Sequence, residues 1–217
     1  MIALDTSTNG GNATATSLTF SHTCSGSNRI LHVAVATPTA DNTDYVTGVT
    51  YGGIAMTRVD TFRSPGLGGA YLYELVNPAL GANNVVISAS GSVPIYGASL
   101  SHTGALQTGQ PDDDNGNAAD PVANLTVSVT TVASNVWLVS MAARKTGSSD
   151  TLSASTNTTA RQVNAFVAIG DSNAKQNPPG SFGQTWALSG ANGLAVIVVS
   201  IKPAPETGGG GFLNNFI

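Results

Sequence analysis

Hydrophobic side chains recur at every second position over many short segments of this chain, the pattern of residues on one face of a β-strand. Leu125, Val127 and Val129, for example, alternate with hydroxyl residues. Helical spacing of three or four residues is almost absent. The pattern predicts about a dozen short strands, in segments 14–21, 31–36, 46–51, 54–60, 71–75, 84–90, 95–102, 125–130, 135–143, 163–169, 182–188 and 194–202.

Many short strands without helices to connect parallel neighbours predict an all-β fold, an antiparallel two-sheet sandwich that is jelly-roll-like. We predict one domain over residues 1–203, followed at 204–217 by a Pro/Gly tether with an apolar tail. The polar stretch 103–120 would divide the chain into two halves of immunoglobulin size. Because no repeated motif is evident between these halves, one domain is favoured. The pair Gly52-Gly53 is predicted to form a two-residue hairpin turn.

Charge is scarce in this sequence. Charged residues make up 9% of the 217 residues, and the net charge is −4. Such a chain lacks the basic face of an electrostatic nucleic-acid binder. No apolar run reaches the roughly 18 residues of a membrane-spanning helix, so membrane insertion is not expected either. The N-terminus lacks the basic and apolar segments of a secretion signal, which favours synthesis and assembly in the cytosol.

The C-terminal segment differs in composition from the rest of the chain. Four glycines, at 208–211, follow a Pro-rich stretch and predict a flexible link. Beyond the link, four of the last six residues are large and apolar: Phe212, Leu213, Phe216 and Ile217. We predict that this tail is an assembly element that inserts into an adjacent subunit; the alternative is that it packs on its own sandwich.

Acidic residues are concentrated in one segment. Asp112, Asp113, Asp114, Asn115 and Asp120 offer oxygen ligands of the kind that Ca²⁺ prefers. Their spacing does not fit an EF-hand loop, because Gly116 would occupy a ligand position. Calcium is therefore one interpretation of this segment. A solvated acidic loop and a charge-paired contact between subunits are the others.

Catalytic patterns are weak throughout the sequence. The chain has two glutamates, and Glu74 is predicted on the outer face of its strand, so an acid pair for glycoside hydrolysis is not indicated. The three histidines, His22, His32 and His102, accompany no serine elbow and no zinc-ligand spacing. We expect them to be hydrogen-bonded structural residues. The sequence predicts a protein that is not an enzyme and requires no cofactor.

Aromatic residues could form a platform for a carbohydrate ring if they are exposed. Trp137 lies in an apolar run and is predicted to be in the core. Trp186 has more polar surroundings and is predicted to be exposed, together with Tyr45 and Tyr96. Trp186 is therefore the candidate contact for a glycan.

Three blocks of sequence carry a family resemblance. They are Ser25-Gly26-Ser27-Asn28-Arg29-Ile30-Leu31-His32-Val33, Val49-Thr50-Tyr51-Gly52-Gly53-Ile54-Ala55-Met56-Thr57 and Tyr71-Leu72-Tyr73-Glu74-Leu75-Val76-Asn77-Pro78. In these blocks, within residues 17–90, the chain is similar to an uncharacterised group of Gly/Ser/Thr-rich β-sandwich proteins from bacteriophage and environmental bacterial genomes. The resemblance implies a structural module of a virion or cell surface, and it transfers no catalytic residues.

Together these features predict a structural subunit of an extracellular assembly, in the first place a phage virion protein such as a capsid decoration, tail or fibre component. Its expected partners are copies of itself and other virion or surface-assembly proteins, and its expected location is the virion. The alternatives are a secreted cell-surface adhesin or carbohydrate-binding module, and a subunit of a microbial extracellular filament.

Overall fold

A computed structural model describes residues 1–64 and 66–205 of the chain. Over these residues the protein is all-β, with thirteen strands in two antiparallel sheets and no helix. This confirms the predicted antiparallel two-sheet sandwich. A helix with the length and apolar character needed to cross a membrane is accordingly not found in the described part of the chain.

The first sheet comes from the first half of the chain and has seven strands. These are β1 (Ala3–Cys24), β2 (Ile30–Thr37), β3 (Val46–Tyr51), β4 (Ile54–Ala55), β5 (Thr57–Ser64), β6 (Gly68–Val76) and β7 (Gly81–Thr103). Tyr51 is paired with Ile54 across Gly52-Gly53, and both glycines have a positive φ, so the predicted hairpin turn is confirmed.

The second sheet comes from the second half of the chain and has six strands. These are β8 (Asp114–Thr130), β9 (Trp137–Arg144), β10 (Leu152–Ala154), β11 (Thr159–Val163), β12 (Val167–Asp171) and β13 (Ser181–Ile201).

The two sheets follow the same plan. In the first, β7 pairs with β1 on one side and with β3 and β2 on the other, and β6 and β5 follow β2. In the second, β13 pairs with β8 on one side and with β10 and β9 on the other, and β12 and β11 follow β9. Within the described residues, β4 is the strand without a counterpart. The two halves of the chain therefore repeat one topology.

Strand registers support the repeat. Leu31 of β2 lies opposite Ser101 of β7, and Leu138 of β9 lies opposite Ser200 of β13. The strands β2 and β9 each follow a Ser-Asn pair whose asparagine has a positive φ, 53° at Asn28 and 59° at Asn135. Asparagine tolerates this conformation better than most residues. The Ser-Asn pair before β2 and β9 is thus a sequence repeat between the two halves, but it is too short to be evident from the sequence.

Four strands are much longer than predicted. The strands β1, β7, β8 and β13 contain 22, 23, 17 and 21 residues. In β1, a Cβ at Gly10 would lie 2.5 Å from the ring of Phe20, although ten positions of straight strand would span roughly 33 Å. The strand therefore bends back over itself, and its register shifts beside Gly10 and Gly11. Bulges let the strand turn without ending, which is why the sequence suggested separate short strands.

Bending of the long strands covers each sheet on both faces. The inner faces of the two sheets meet in a central core that includes Ile30, Leu72, Trp137 and Ile197. The bent parts of the long strands close an outer core over each sheet, one in each half of the chain. All eight residues of β2 are buried as a result, and so are all eight of β9. The halves share the central core, so they pack as one unit.

Candidate assembly site

The described chain ends beside a cavity at one end of the sandwich. Residues 202–204 run antiparallel to 104–106: Leu106 N–H donates to the Lys202 carbonyl at 2.8 Å, and Ala204 N–H donates to the Gly104 carbonyl at 2.8 Å. The cavity has a volume of about 280 Å³, and its lining is mostly apolar: Met1, Leu106, Asn135, Lys175, Pro203, Ala204 and Pro205. Residues 204 and 205, the first two of the predicted tether, therefore form part of the wall of an apolar cavity.

Elements from both halves of the chain shape this end. Asn135 reaches the cavity from the loop before β9. The equivalent Asn28, in the loop before β2, lines a second cavity that also borders residues 204 and 205. Met1 belongs to both cavities and is 75% exposed, and Val132, in the loop that contains Asn135, is 79% exposed. Two large apolar side chains in these segments are therefore open to solvent.

The predicted tail residues lie outside the described part of the chain. These are Phe212, Leu213, Phe216 and Ile217. Their role in assembly stays a prediction. The residues that line the cavity were not singled out from the sequence, because they are brought together by long-range pairing: 104–106 with 202–204, and Val136 with Gln176.

The acidic segment does not form a cluster of ligands. Both Asp112 and Asp113 accept backbone hydrogen bonds from the β8–β9 region: Asp112 from Val132 N–H at 2.8 Å, and Asp113 from Thr130 N–H at 2.6 Å. Asn115 donates its amide to the Ser128 carbonyl at 2.8 Å. These side chains therefore hold the start of β8 against the end of the same strand and against the loop between β8 and β9.

The remaining members of the segment point elsewhere. Asp120 pairs with Lys145 at 2.6 Å. Asp114 is exposed, and partial burial of its carboxyl, followed by the nearby charges of Asp60 and Asp113, raises its pKa. In residues 1–64 and 66–205, no group of three or more His, Cys, Asp or Glu side chains is placed to hold a metal ion. The geometry thus gives the predicted calcium site no set of ligands.

The exposure predicted for Trp186 is wrong. Its side chain is 0% exposed and lies in the outer core of the second half. The indole N–H donates to Ser140 Oγ at 2.8 Å. The strand β13 places Trp186 between β8 and β10 in the sheet, opposite Leu125 and Ala154, and local sequence does not reveal that the outer core covers its side chain. Trp186 therefore cannot contact a glycan in this fold, whereas Trp137 is buried as predicted.

The prediction for Glu74 is also wrong. Glu74 is 6% exposed and faces inward, because the register of β2 and β6 places it opposite His32. The Nε2 atom of His32 lies 3.1 Å from Glu74 Oε2. Glu74 and Asp114 both line a groove of about 450 Å³ between β5, β6 and residues 107–111. The structure thus brings two carboxylates to one groove, which neither residue type nor spacing had indicated.

Another buried polar contact, unlike that of His32 with Glu74, joins the two sheets inside the central core. His102 of β7 donates through Nε2 to Asp171 of β12 at 3.0 Å, and Arg161 contacts the same carboxylate at 3.0 and 2.8 Å. Burial alone would raise the pKa of Asp171, but the hydrogen bonds from His102 and Arg161 outweigh it and lower that pKa. Burial lowers the pKa of His102. A neutral imidazole therefore donates to an ionised carboxylate.

His22 is held in a different way, by hydroxyl groups. Its Nδ1 lies 2.8 Å from Ser99 Oγ and 3.0 Å from Thr8 Oγ1, and its Nε2 lies 3.0 Å from Ser101 Oγ. The Ser101 hydroxyl in turn lies 2.9 Å from Asp5 Oδ2. His22, Ser99 and Ser101 are at most 1% exposed, so the array has no access for a substrate. All three histidines are thus buried and hydrogen-bonded, and the hydrogen bonding is as predicted.

Comparison with known proteins adds weak similarities only. No family model matches the sequence, and no curated protein is similar to it. The solved structures that it resembles include the ANX1 ectodomain from Arabidopsis thaliana (10% identity over 90% of this chain and 85% of that one, TM-score 0.31). Another is the major capsid protein P2 from bacteriophage PM2 (7% identity, 95% and 99%, TM-score 0.24). A third comes from Sulfolobus Turreted Icosahedral Virus (11% identity, 94% and 61%, TM-score 0.28). Similarities this low carry no argument about function.

Proposed function

We propose that this protein is a non-enzymatic structural subunit of an extracellular assembly, in the first place a bacteriophage virion, and that it joins its partners through the tail at 212–217. The observation that carries the proposal is the apolar cavity where the described chain ends, with exposed Met1 at its rim. An apolar tail and an apolar cavity near the start of the tether are complementary surfaces through which copies of the chain can associate.

The composition of the chain favours the same function. Copies packed side by side repel one another less when they carry few charges, and only 9% of the residues are charged. The alternative of a carbohydrate-binding module depended on an exposed Trp186, and that side chain is fully buried. The structural subunit is therefore the better supported of the two.

Deletion of residues 208–217 tests the proposal. Within residues 1–64 and 66–205 the three cores end at Ile201, so the shortened chain keeps all of these core residues and should melt at the temperature of the full chain. We expect the full chain to form oligomers and the shortened chain to be a monomer, as measured by light scattering after size exclusion. A full chain that is monomeric at every concentration, or a shortened chain that still assembles, contradicts the proposal.

A further inference from the structure

The groove between β5, β6 and residues 107–111 has an acidic lining. Its carboxylates are those of Glu74 from β6, in the first sheet, and Asp114 from β8, in the second. The volume of the groove is about 450 Å³. Two acids from opposite halves of the chain therefore share one opening.

Glu74 is nearly buried, and one of its carboxylate oxygens has no partner. The side chain is 7% exposed, and Oε2 accepts a hydrogen bond from His32 Nε2 at 3.1 Å. The described residues provide no donor for Oε1, and this atom is not sealed from solvent. Because Glu74 lines the groove, Oε1 can be reached from it. A carboxylate oxygen in so buried a position calls for a donor, which a ligand in the groove can supply.

Cations of the chain itself do not neutralise these acids. Within residues 1–64 and 66–205, neither Glu74 nor Asp114 forms an ion pair with Lys or Arg. Arg58 lines the groove but pairs with Asp44, and Lys202 Nζ contacts a backbone carbonyl at 3.4 Å. Partial burial, followed by the charges of neighbouring carboxylates that include Glu74, raises the pKa of Asp114. The groove therefore concentrates negative charge.

The rest of the lining suits an aliphatic amine. Gln107 donates its amide to two backbone carbonyls, at 3.3 and 2.8 Å, which leaves its side-chain oxygen as an acceptor. Val59, Val76 and Pro111 add apolar surface. An ammonium group has three donors and no acceptor, and its aliphatic stem packs along apolar surface while the charged head contacts polar groups.

We infer that this groove, called the acidic groove below and defined by Val59, Glu74, Gln107, Pro111 and Asp114, binds an alkylammonium group, from a free diamine or from a lysine side chain of another protein. The ammonium would donate to Glu74 Oε1 and to the Asp114 carboxylate. A metal ion suits the groove less well, because the described part of the chain places no three His, Cys, Asp or Glu side chains together to hold one.

Calorimetric titration of the full chain tests this inference and distinguishes the two sources of the amine. The ligands are diaminobutane and an N-acetyl-lysine amide. Butanediol, which matches the diamine in length but carries no charge, is the control ligand and should not bind. If the diamine alone binds, the source is a free amine; if the lysine derivative alone binds, the source is a protein.

Two variants test the acids separately. Glu74→Gln keeps the shape of the side chain and should raise the dissociation constant about tenfold or more, the loss of one hydrogen bond to a charged group. Asp114→Asn should raise it about two- to fivefold, because Asp114 is exposed. Asp120→Asn removes one charge outside the groove and is the matched control, with binding unchanged.

Melting temperatures establish that each variant is folded, and the exposed Asp114 provides a test even if Glu74→Gln does not fold. Binding of either amine that weakens in the groove variants and not in Asp120→Asn supports the inference. It is overturned if neither amine binds, if butanediol binds equally well, or if the groove variants bind as tightly as the control variant. None of these outcomes bears on the proposed function, which deletion of the tail tests.

Discussion

The buried histidines show how single residues couple this fold to pH. His22 is surrounded by hydroxyl groups, and the nearest carboxylate, Asp5, reaches it through Ser101. Burial lowers the pKa of His22 to about 4, and the charge of Asp5 opposes that shift only in part. A hydroxyl array can hydrogen-bond a neutral imidazole, but it does not offset the cost of burying a charge.

Acid should destabilise the protein through His22. In the unfolded chain His22 binds a proton near pH 6.5, whereas in the folded protein it does so only near pH 4. Between these values the unfolded state binds more protons, so stability is complete above pH 6.5 and falls as the pH drops towards 4. The full effect is on the order of 3 kcal/mol in the free energy of unfolding. The lowered pKa of His102 acts in the same direction.

Urea unfolding at pH 7 and pH 4.5 measures this loss, and His22→Asn provides the comparison. The variant should be less stable at pH 7 because the hydroxyl groups around position 22 lose a hydrogen-bond partner. The stability of the variant should change less between the two pH values. An equal pH dependence in the variant and the original chain would contradict the assignment to His22.

At the scale of the element, glycine decides where the long strands bend. Gly10 has the ring of Phe20 directly over its Cα, and Gly97 on the paired strand β7 lies under the same ring. Any side chain at Gly10 would occupy the space of that ring. The bend in β1 thus depends on close packing within a single strand, and the outer core of the first half depends on the bend, since it contains Leu18 from the returning part.

Gly10→Ala should therefore lower the free energy of unfolding by about 1–3 kcal/mol, the usual cost of overpacking. Gly91→Ala is the matched control, because a Cβ at Gly91 in β7 meets nothing within 4 Å and should cost less than about 1 kcal/mol. Phe20→Leu in the Gly10→Ala background should recover part of the loss. Equal destabilisation by the two alanines, measured by urea unfolding, would show that the contact with Phe20 is not what matters.

For the whole molecule, the decisive feature is that two halves of equal topology share one core. The central core draws residues from both sheets, and His102–Asp171 crosses it as a buried polar contact. Loss of the His102 donor would remove one hydrogen bond from the buried Asp171 carboxylate, which costs about 1.5–3 kcal/mol. Neither half keeps a covered inner face without the other.

We therefore expect the halves to unfold together. Tryptophan fluorescence, which reports on Trp137 in the central core and Trp186 in an outer core, should follow the same urea curve as circular dichroism. His102→Leu should shift this single transition to lower urea because the Asp171 carboxylate loses a donor, with Arg161 left as its partner. Two separated transitions would instead show that each half is stable alone.

Local sequence determined that the chain forms β-strands and that Gly52-Gly53 forms a hairpin turn, because alternation and turn chemistry are properties of the backbone over a few residues. The tertiary structure decided the repeat, the inward Glu74, the buried Trp186 and the lining of the cavity beside residues 203–205. Each of these depends on what packs over a strand, and β2 and β9 are covered on both faces. When both faces are buried, alternation no longer tells inside from outside, and only the bent long strands determine it.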